Sequence, residues 1–369
     1  MTAILRFRLT DYRNYPSLDL RLDGRHVCLF GSNGAGKTNL LEAVSQLGPG
    51  RSLRGAALPD IARKASGGEW TVSATLDADR RLGVAFDGAK RVVRIDGAPA
   101  AAGDLADLVR IVWLVPAMDR IFAGGASDRR RFYDRQVMAH RPAHGRAAAA
   151  YEKAMRERNA LLEQGRVDPA WADAIEARMA EHGAEIMLNR AVILARLQTS
   201  VDARPEGYFP KADLSLAGDE TMVCGADAMP GELAGTIAEA LRESRRRDAA
   251  AGRTLSGPHR ADLAVVHRPT GAAASDASTG QQKALLIGLI LASARALGDR
   301  EDGPAPFVLL DEAAAHLDAD RRAALFDELS DLGGQAWLTG TEAFLFDAFG
   351  ERAARVEVDE GRACLADQS

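Results

Sequence analysis

The sequence predicts an α/β protein, in which a mixed β-sheet core surrounds a phosphate-binding loop, with an antiparallel β part and an inserted helical lobe. Residues 31–38 fit the pattern G-x-x-x-x-G-K-[ST] between a strand-like and a helix-like segment. Strand patterns dominate up to about residue 116, and helix-forming residues dominate from about 127 to 203. The apolar run Phe307–Leu310 then ends in two carboxylates, as a buried strand of a parallel sheet can do.

The composition is that of an ordinary globular chain, with 369 residues of which 47% are apolar and 27% charged. This length suits about two domains. No apolar run approaches the roughly 18 residues of a membrane span, and the first residues have a strand pattern rather than that of a signal peptide. We therefore expect a cytoplasmic protein with no membrane partner. The 3 cysteines lie far apart without metal-ligand spacing, which suits a reduced cytosol.

The loop at residues 31–38 has the residue types that phosphate binding requires. Glycines let the backbone turn so that its N–H groups point into one concavity, and the N terminus of the following helix adds attraction for anions. Lys37 is expected to reach the β- and γ-phosphates, and the Thr38 hydroxyl to ligate Mg²⁺. The alternative is a glycine-rich turn that carries Lys-Thr by chance, and both flanking segments argue against it. The predicted nucleotide contacts of this loop are Gly31, Ser32, Asn33, Gly34, Ala35, Gly36, Lys37 and Thr38.

The second half of the predicted site follows the apolar strand Phe307–Leu310, which ends in the Walker B pattern Asp311-Glu312. Asp311 is expected to hold Mg²⁺, directly or through water, and Glu312 to act as the general base on the attacking water. An acidic turn at the end of a strand is common by itself. Together with a phosphate loop it predicts an ATPase with Lys37 and Glu312 as catalytic residues.

A third segment stands at the start of an apolar helix, where Ser278, Gly280 and Gln281 resemble the signature motif of ABC-type ATPases. In that superfamily a Ser-x-Gly loop at a helix N terminus binds the γ-phosphate of ATP held by the other subunit. The chemistry agrees, because a hydroxyl, a glycine N–H and a helix dipole all favour an anion. The resemblance implies an ABC-type ATPase head that forms a homodimer when ATP is bound. Residues 337–341 lie where the superfamily has its switch segment, with threonines where many relatives have histidine.

Five further patterns narrow the resemblance to the bacterial RecF family, whose members are ATP-dependent proteins of recombinational repair. The patterns are residues 12–15, the phosphate loop with residues 39–43, residues 51–54, residues 124–134 and residues 256–263. With the signature and Walker B segments they cover nearly the whole chain. The resemblance implies nucleotide contacts from Arg13, Asn14 and Arg54, although an arginine at a hairpin tip is often only solvated. It also implies RecO and RecR as partners in loading recombinase on gapped DNA.

Two positions depart from the family pattern. After Pro116 the family often has an acidic residue, where this chain has Ala117-Met118-Asp119. The residue that senses the γ-phosphate there is therefore open, with Asp119 as a candidate. Many relatives also have an acidic pair after His-Arg, where this chain has Ala261-Asp262.

The charge distribution suggests a nucleic-acid surface, although the net charge is −5. Residues 120–160 contain ten Arg or Lys and four Asp or Glu, a local basic excess of the kind that DNA-binding proteins use. A solvated arginine-rich helix, or internal ion pairs that fold the lobe, would have the same composition. The candidate DNA contacts are Arg129, Arg130, Arg131, Arg245, Arg246 and Arg247.

The predicted domains are a discontinuous ATPase core at residues 1–116 and 254–369 and a mainly helical insertion at residues 117–253. The family resemblance implies an ATP-dependent DNA-binding protein of recombinational repair and replication-fork maintenance. Its ATP-bound dimer would grip duplex DNA near single-strand gaps, and slow hydrolysis would time its release. Two alternatives stay open: an ATP-gated scaffold that acts only through protein partners, and the ATPase subunit of a transporter, which the long insertion argues against.

Overall fold

A computed structural model describes residues 2–163, 168–218, 224–299 and 303–366. By its internal contacts the chain forms two compact units. The first contains Met1–Asp119, Gly207–Phe209 and Leu286–Ser369, and the second contains Arg120–Glu206 and Pro210–Leu285. No helix in the described ranges is both long enough and apolar enough to cross a membrane.

The elements are numbered in chain order. The described strands are β1 (Ile4–Tyr12), β2 (Tyr15–Arg21), β3 (His26–Phe30), β4 (Trp70–Leu76), β5 (Arg81–Phe86), β6 (Arg91–Ile95), β7 (Ala98–Ala100), β8 (Ile111–Leu114), β9 (Ala212–Ala217), β10 (Asp262–His267), β11 (Ala272–Ala273), β12 (Phe307–Leu310), β13 (Ala336–Gly340), β14 (Ala353–Asp359) and β15 (Arg362–Leu365). The described α-helices are α1 (Lys37–Ser45), α2 (Ala126–His140), α3 (His144–Glu163), α4 (Pro169–Ala203), α5 (Pro230–Ala251), α6 (Thr279–Gly298) and α7 (Ala319–Asp331).

One sheet of the first unit is antiparallel, with the strand order β2-β1-β4-β5-β6-β7. The predicted N-terminal hairpin is confirmed, because β1 and β2 pair with Phe7 opposite Leu20 and Leu9 opposite Leu18. Alternation along these strands buries one face, as in β4, where Trp70 and every second residue after it are buried. The side chains of alternate positions therefore build one side of the core of this unit.

The second sheet of the first unit has the order β15-β14-β3-β13-β12-β8. Five of its strands pair in parallel and β15 pairs antiparallel at one edge. Strands β8, β12 and β13 are buried at every position, which explains why Phe307–Leu310 is an uninterrupted apolar run. The predicted fold class, a mixed phosphate-loop sheet with an antiparallel sheet and a helical part, is confirmed.

The second unit combines helices α2 to α5 with a three-stranded antiparallel sheet of order β11-β10-β9. Its apolar core includes Tyr151, Met179 and Ile237. The packing is close at Gly183 in α4, where an added Cβ would lie 3.2 Å from a carbon of Pro258. A larger residue at this position would push these elements apart.

A buried polar network holds the helices of the second unit together. The Arg158 guanidinium, 1% exposed, donates to the carboxylates of Glu176 at 2.9 Å and Asp248 at 2.7 Å. It also donates to the Thr254 hydroxyl at 2.9 Å and to the Leu241 carbonyl at 2.7 Å. Because nearly all of its donors are bonded, this cation can be buried without a large desolvation penalty.

The boundaries between the two units differ from the predicted ones. The helical insertion was expected at residues 117–253, whereas the second unit begins at Arg120 and extends to Leu285. Residues 254–285 belong to it because β10 pairs along its whole length with β9. A strand pairing between distant segments is not visible in the local pattern that suggested the boundary at 253.

A side-chain hydrogen bond of His26 connects β3 to the neighbouring strand β13. The His26 ring is 5% exposed and lies 5.3 Å from the ring of Phe349, and its Nδ1 accepts a hydrogen bond from the Ala336 N–H at 3.0 Å. Burial, reinforced by the nearby positive charge of Arg352, lowers the pKa of His26 to about 4. The folded protein therefore needs this imidazole in its neutral form.

We expect the folded state to lose stability as the pH falls from 6.5, the ordinary pKa of histidine, towards 4. Below 6.5 the unfolded chain binds a proton at His26 that the folded chain does not, so unfolding becomes more favourable, by up to about 3 kcal/mol. His26→Asn keeps an acceptor for the Ala336 N–H and does not titrate. The midpoint of thermal unfolding should therefore fall less steeply over this pH range in His26→Asn than in the wild type or in His182→Asn. Equal slopes in all three proteins would contradict the assignment.

Candidate nucleotide-binding site

Three neighbouring parallel strands bring the predicted site residues to one edge of the second sheet. Strand β3 leads into residues 31–38, and β12 leads into Asp311 and Glu312. Strand β13 lies between them and is paired in parallel with both. Since parallel strands have their carboxyl ends at the same edge, segments that are distant in the sequence meet there.

The loop after β3 has a backbone that requires glycine. Gly31 has φ of 144°, and a Cβ at this position would lie 2.1 Å from the carbonyl oxygen of Val358. Gly36 has φ of 119°, and its Cβ would lie 2.5 Å from Nδ2 of Asn14. The Tyr15 hydroxyl donates to the carbonyl of Gly36 at 3.1 Å. The loop is therefore held in shape by the surrounding protein.

Asn14 and Arg54, predicted to contact the nucleotide, are part of a chain of hydrogen bonds that reaches the loop. The Asn14 amide donates to the carbonyl of Ala35 at 3.1 Å and accepts from the Asn39 amide at 2.8 Å. Arg54 donates to the Asn39 amide oxygen at 2.8 Å. In this structure the two residues support the loop backbone, and their contact with a nucleotide stays a prediction.

Arg13, the other predicted contact from the hairpin tip, forms an ion pair with a buried acid. Its Nε and Nη2 donate to the two carboxylate oxygens of Glu42 in α1, both at 2.8 Å. A third donor, Nη1, reaches the carbonyl of Asp60 at 2.7 Å. Glu42 is 0% exposed, so Arg13 supplies the charge that makes its burial possible. The sequence pattern did not identify this role.

Lys37 lies at the start of α1 and is 5% exposed. Its Nζ donates to the carbonyls of Gly31 at 2.6 Å and Ser32 at 2.8 Å, so that the side chain spans the loop. Burial lowers the pKa of Lys37, and the negative charges of Glu312 and Asp311 oppose this shift. An ammonium in this position favours negative charge inside the loop.

Thr38 and Asp311, the two predicted Mg²⁺ ligands, are adjacent. The Thr38 hydroxyl lies 2.9 Å and 3.1 Å from the two carboxylate oxygens of Asp311, which is 7% exposed. A hydroxyl and a carboxylate are the oxygen donors that Mg²⁺ prefers, usually one or two from the protein together with waters and phosphates. The donor set therefore fits this cation.

Thr339, at the end of β13, connects the two acids of the site. Its hydroxyl donates to Asp311 Oδ1 at 2.8 Å and accepts from the backbone N–H of Glu312 at 2.8 Å. Glu312 is half-buried and has φ of 54°. The sequence had placed Thr339 only within the switch segment, and a hydroxyl residue ending a buried strand was the only local signal of its contacts.

The signature residues lie in the second unit, at the first turn of α6. The backbone N–H of Ser278 donates to the Gln281 side chain at 2.9 Å, and the N–H of Gln281 donates to the Ser278 hydroxyl at 3.3 Å. This reciprocal pair is a capping box. Ser278, Gly280 and Gln281 are all exposed, so the cap leaves the helix N terminus accessible.

Asp119, the candidate sensor of the γ-phosphate, is half-buried in the first unit.

Two of the six arginines proposed for DNA contact form ion pairs that join different elements of the second unit. Arg129 donates to both carboxylate oxygens of Asp262, and Arg245 does the same with Glu176. The pKa of Arg245 is raised by its hydrogen bonds with Glu176. These two side chains therefore hold elements of the unit together, as the internal ion-pair alternative had suggested.

Three of the other four arginines are exposed. Arg130 is half-buried, and its pKa is lowered by burial and by the positive charge of Arg190. Arg131 pairs with Asp128 on the same helix and is 73% exposed. The remaining two, Arg246 and Arg247, are exposed on α5.

The chain was compared with known proteins. The family model described as RecF/RecN/SMC N terminal domain matches residues 3–343. The chain is 49% identical over 370 residues to the DNA replication and repair protein RecF of Rhizobium etli (strain CIAT 652), covering 98% of each chain. It is 50% identical to the protein of the same name from Brucella suis biovar 1 (strain 1330), covering 98% of this chain and 95% of that one. The chain belongs to the RecF family.

Solved structures support the same fold for this RecF-family chain. The recombination mediator protein RecF-ATPrS in the RecFOR pathway aligns with a TM-score of 0.85 and 20% identity, covering 99% of this chain and 98% of that one. An Smc head domain derived from Pyrococcus furiosus aligns with a TM-score of 0.52 and 14% identity, covering 100% of this chain and 97% of that one. The predicted ABC-type, SMC-like head fold is confirmed.

The Arg13–Glu42 pair leads to a stability prediction. Arg13→Ala should reduce the free energy of unfolding by about 3 kcal/mol, because it leaves the buried carboxylate of Glu42 without its bidentate partner. Arg63→Ala is the matched control, since Arg63 forms an ion pair with Asp11 in which both side chains are 31% exposed, and it should cost at most about 1 kcal/mol. Adding Glu42→Gln to Arg13→Ala should recover part of the loss. Urea unfolding measures all four proteins, and equal losses in the two single arginine variants would contradict the prediction.

Proposed function

We propose that this RecF-family chain is an ATP-dependent DNA-binding protein of recombinational repair and replication-fork maintenance. The observation that carries the proposal is the position of Lys37, Thr38 and Asp311 around one glycine loop, with two oxygen donors adjacent to each other. Thr38 and Asp311 would hold Mg²⁺, which neutralises phosphate charge when bound. The family membership and the named role of its relatives in DNA replication and repair agree with this assignment.

Hydrolysis of ATP follows from the same residues. Lys37 would stabilise the negative charge that develops on the transferred phosphate, and the Glu312 carboxylate would accept the proton of the attacking water. Water attacks the γ-phosphorus, the bond to the bridging oxygen breaks, and ADP and phosphate leave. We propose that this reaction is slow and serves as a timer for release from DNA.

A homodimer would complete the site. Ser278, Gly280 and Gln281 are exposed at the N terminus of a 20-residue helix, where a hydroxyl and the helix dipole favour an anion. We propose that these residues contact the γ-phosphate of ATP bound to a second copy of the chain. ATP would then hold the two copies together, and its hydrolysis would release them.

DNA contact is assigned to four of the six arginines, of which Arg130 is half-buried and the other three are exposed. Arg130, Arg131, Arg246 and Arg247 are the candidates that remain once Arg129 and Arg245 are accounted for by internal ion pairs. Arginine side chains on an exposed surface bind the phosphate backbone of duplex or gapped DNA without reading its sequence. The related RecF structures belong to a RecFOR pathway, which supports RecO and RecR as protein partners.

Glu312→Gln should bind ATP as tightly as the wild type and hydrolyse it about 100-fold more slowly, because the amide cannot accept a proton from water. The ATP-bound dimer should persist correspondingly longer. Single-turnover hydrolysis and size-exclusion chromatography with light scattering measure the two effects. A dimer that dissociates as fast in Glu312→Gln as in the wild type would show that another group is the base.

Ser278→Arg should keep ATP binding and lose the ATP-dependent dimer, because a bulky cation replaces the small hydroxyl at the proposed interface. Ser127→Arg is the matched control, since it introduces the same charge at an exposed serine in the first turn of α2. Fluorescence titration measures ATP binding, and light scattering measures the mass. If Ser278→Arg dimerised normally with ATP, the composite site would be refuted.

Binding to duplex DNA at several salt concentrations, with and without ATP, tests the whole proposal. Binding should require ATP and weaken as salt rises, and replacing Arg246 and Arg247 by Gln should reduce the slope of log affinity against log salt by up to about 1.8. The same change at Arg80 and Arg81, an exposed pair in the first unit, should leave the slope unaltered. If DNA does not bind under any condition, the chain acts instead as an ATP-gated scaffold for protein partners.

A further inference from the structure

Thr339 is almost inaccessible to solvent, with 1% exposure, and lies where β13 is paired in parallel with β3. Its hydroxyl contacts both Asp311 and Glu312, although it lies 28 residues from Asp311 and 27 residues from Glu312 in the sequence. The hydroxyl thus bonds to the two acids that follow β12.

The hydrogen-bonding capacity of this hydroxyl is committed. A threonine hydroxyl has one proton, and Thr339 donates it to Asp311 Oδ1 at 2.8 Å. One of its lone pairs accepts the N–H of Glu312 at 2.8 Å. A direct bond from Thr339 to a phosphate oxygen would need this same proton and a path to solvent. We therefore infer that Thr339 does not act through a direct hydrogen bond to the phosphate.

The bond from the Glu312 N–H to the Thr339 hydroxyl acts on the backbone of Glu312. Its φ of 54° lies in the left-handed region, which a glutamate adopts only at a cost of roughly 1 kcal/mol or more. The Thr339 hydroxyl receives the N–H of this residue and so stabilises the unusual conformation. This bond therefore favours the backbone conformation from which the Glu312 side chain extends.

The bond that the Thr339 hydroxyl donates to Asp311 Oδ1 acts on the orientation of that carboxylate. The Asp311 carboxylate lies within hydrogen-bond distance of two hydroxyls, that of Thr339 on β13 and that of Thr38 on α1. With Oδ1 held by Thr339, rotation of the carboxylate about its Cβ–Cγ bond is restricted. Groups that orient a metal ligand in this way typically change metal affinity or activity by about 10- to 100-fold when they are removed.

We propose that Thr339 is a positioning residue that sets the orientation of the Mg²⁺ ligand Asp311 and of the general base Glu312 through a single hydroxyl. The inference rests on the proposed ATPase function and assigns to Thr339, one of the two threonines of residues 337–341, a role that does not involve contact with the nucleotide. Because one hydroxyl serves both acids, metal binding at Asp311 and the direction of Glu312 are coupled. A shift of β13 relative to β12 would disturb both together.

Thr339→Val removes the hydroxyl at nearly constant volume, and Thr339→Ser restores it. Thr71→Val is the matched control, the same change at an exposed position of β4. Three quantities are measured: binding of a fluorescent ATP analogue without Mg²⁺, the Mg²⁺ concentration that half-saturates ATP binding and hydrolysis, and kcat at saturating ATP and Mg²⁺. The midpoint of thermal unfolding reports any structural loss separately.

For Thr339→Val we expect unchanged binding without Mg²⁺, a Mg²⁺ requirement raised by about 10-fold or more, and a kcat lowered by about 10-fold or more. Thr339→Ser should recover most of both losses, and Thr71→Val should match the wild type. In the Glu312→Gln background, Thr339→Val should no longer lower the hydrolysis rate further but should still raise the Mg²⁺ requirement. That pattern separates the effect on the two acids.

Several outcomes would overturn the inference. Wild-type Mg²⁺ dependence and kcat in Thr339→Val would do so, as would a Thr339→Ser variant that stays as defective as Thr339→Val. Weaker ATP binding without Mg²⁺ in Thr339→Val, with unchanged kcat, would indicate direct contact with phosphate. If instead Thr341→Val alone showed the losses, the role would belong to Thr341. A wild-type protein that binds no ATP at all would refute the proposed function itself and would be distinct from each of these results.

Discussion

The parallel pairing of β13 with both β3 and β12 determines where the groups of the candidate site lie. It brings the glycine loop after β3 and the acids after β12 to one edge of the sheet, separated by a single strand. The hydroxyl of Thr339 at the end of that middle strand then bonds to both acids. Backbone pairing and side-chain chemistry thus act on the same few atoms. A shift of β13 by one residue would turn Thr339 to the other face of the sheet and remove both bonds.

The surroundings of the glycine loop hold its backbone in shape. Asn14 and Tyr15 at the tip of the N-terminal hairpin bond to two successive carbonyls of the loop. The same hairpin provides Arg13 as the counter-ion of the buried Glu42 on α1. Loop, hairpin and helix are therefore one hydrogen-bonded structure, and little conformational entropy is left to lose when a phosphate binds.

Arginines perform two physically different tasks in the second unit. Arg158 and Arg245 compensate buried carboxylates between helices, and their loss would leave charges without partners. Arg246 and Arg247 directly follow Arg245 in the sequence and are exposed to solvent on the same helix, α5. A run of arginines in the sequence therefore does not by itself indicate a nucleic-acid surface. Each side chain must first be identified as ion-paired inside the protein or exposed to solvent.

The sequence by itself determined the fold class, the glycine loop, the Walker B strand and the family, because each depends on short-range patterns of apolar residues, glycines and charges. The adjacency of Thr38 and Asp311 also followed, since the two motifs together specify one known arrangement. Only the tertiary structure decided the bonding partners of Arg13, Arg245 and Thr339, and the assignment of residues 254–285 to the helical unit. Each of these depends on a partner far away in the sequence, and local periodicity contains no information about which distant side chain or strand will lie opposite.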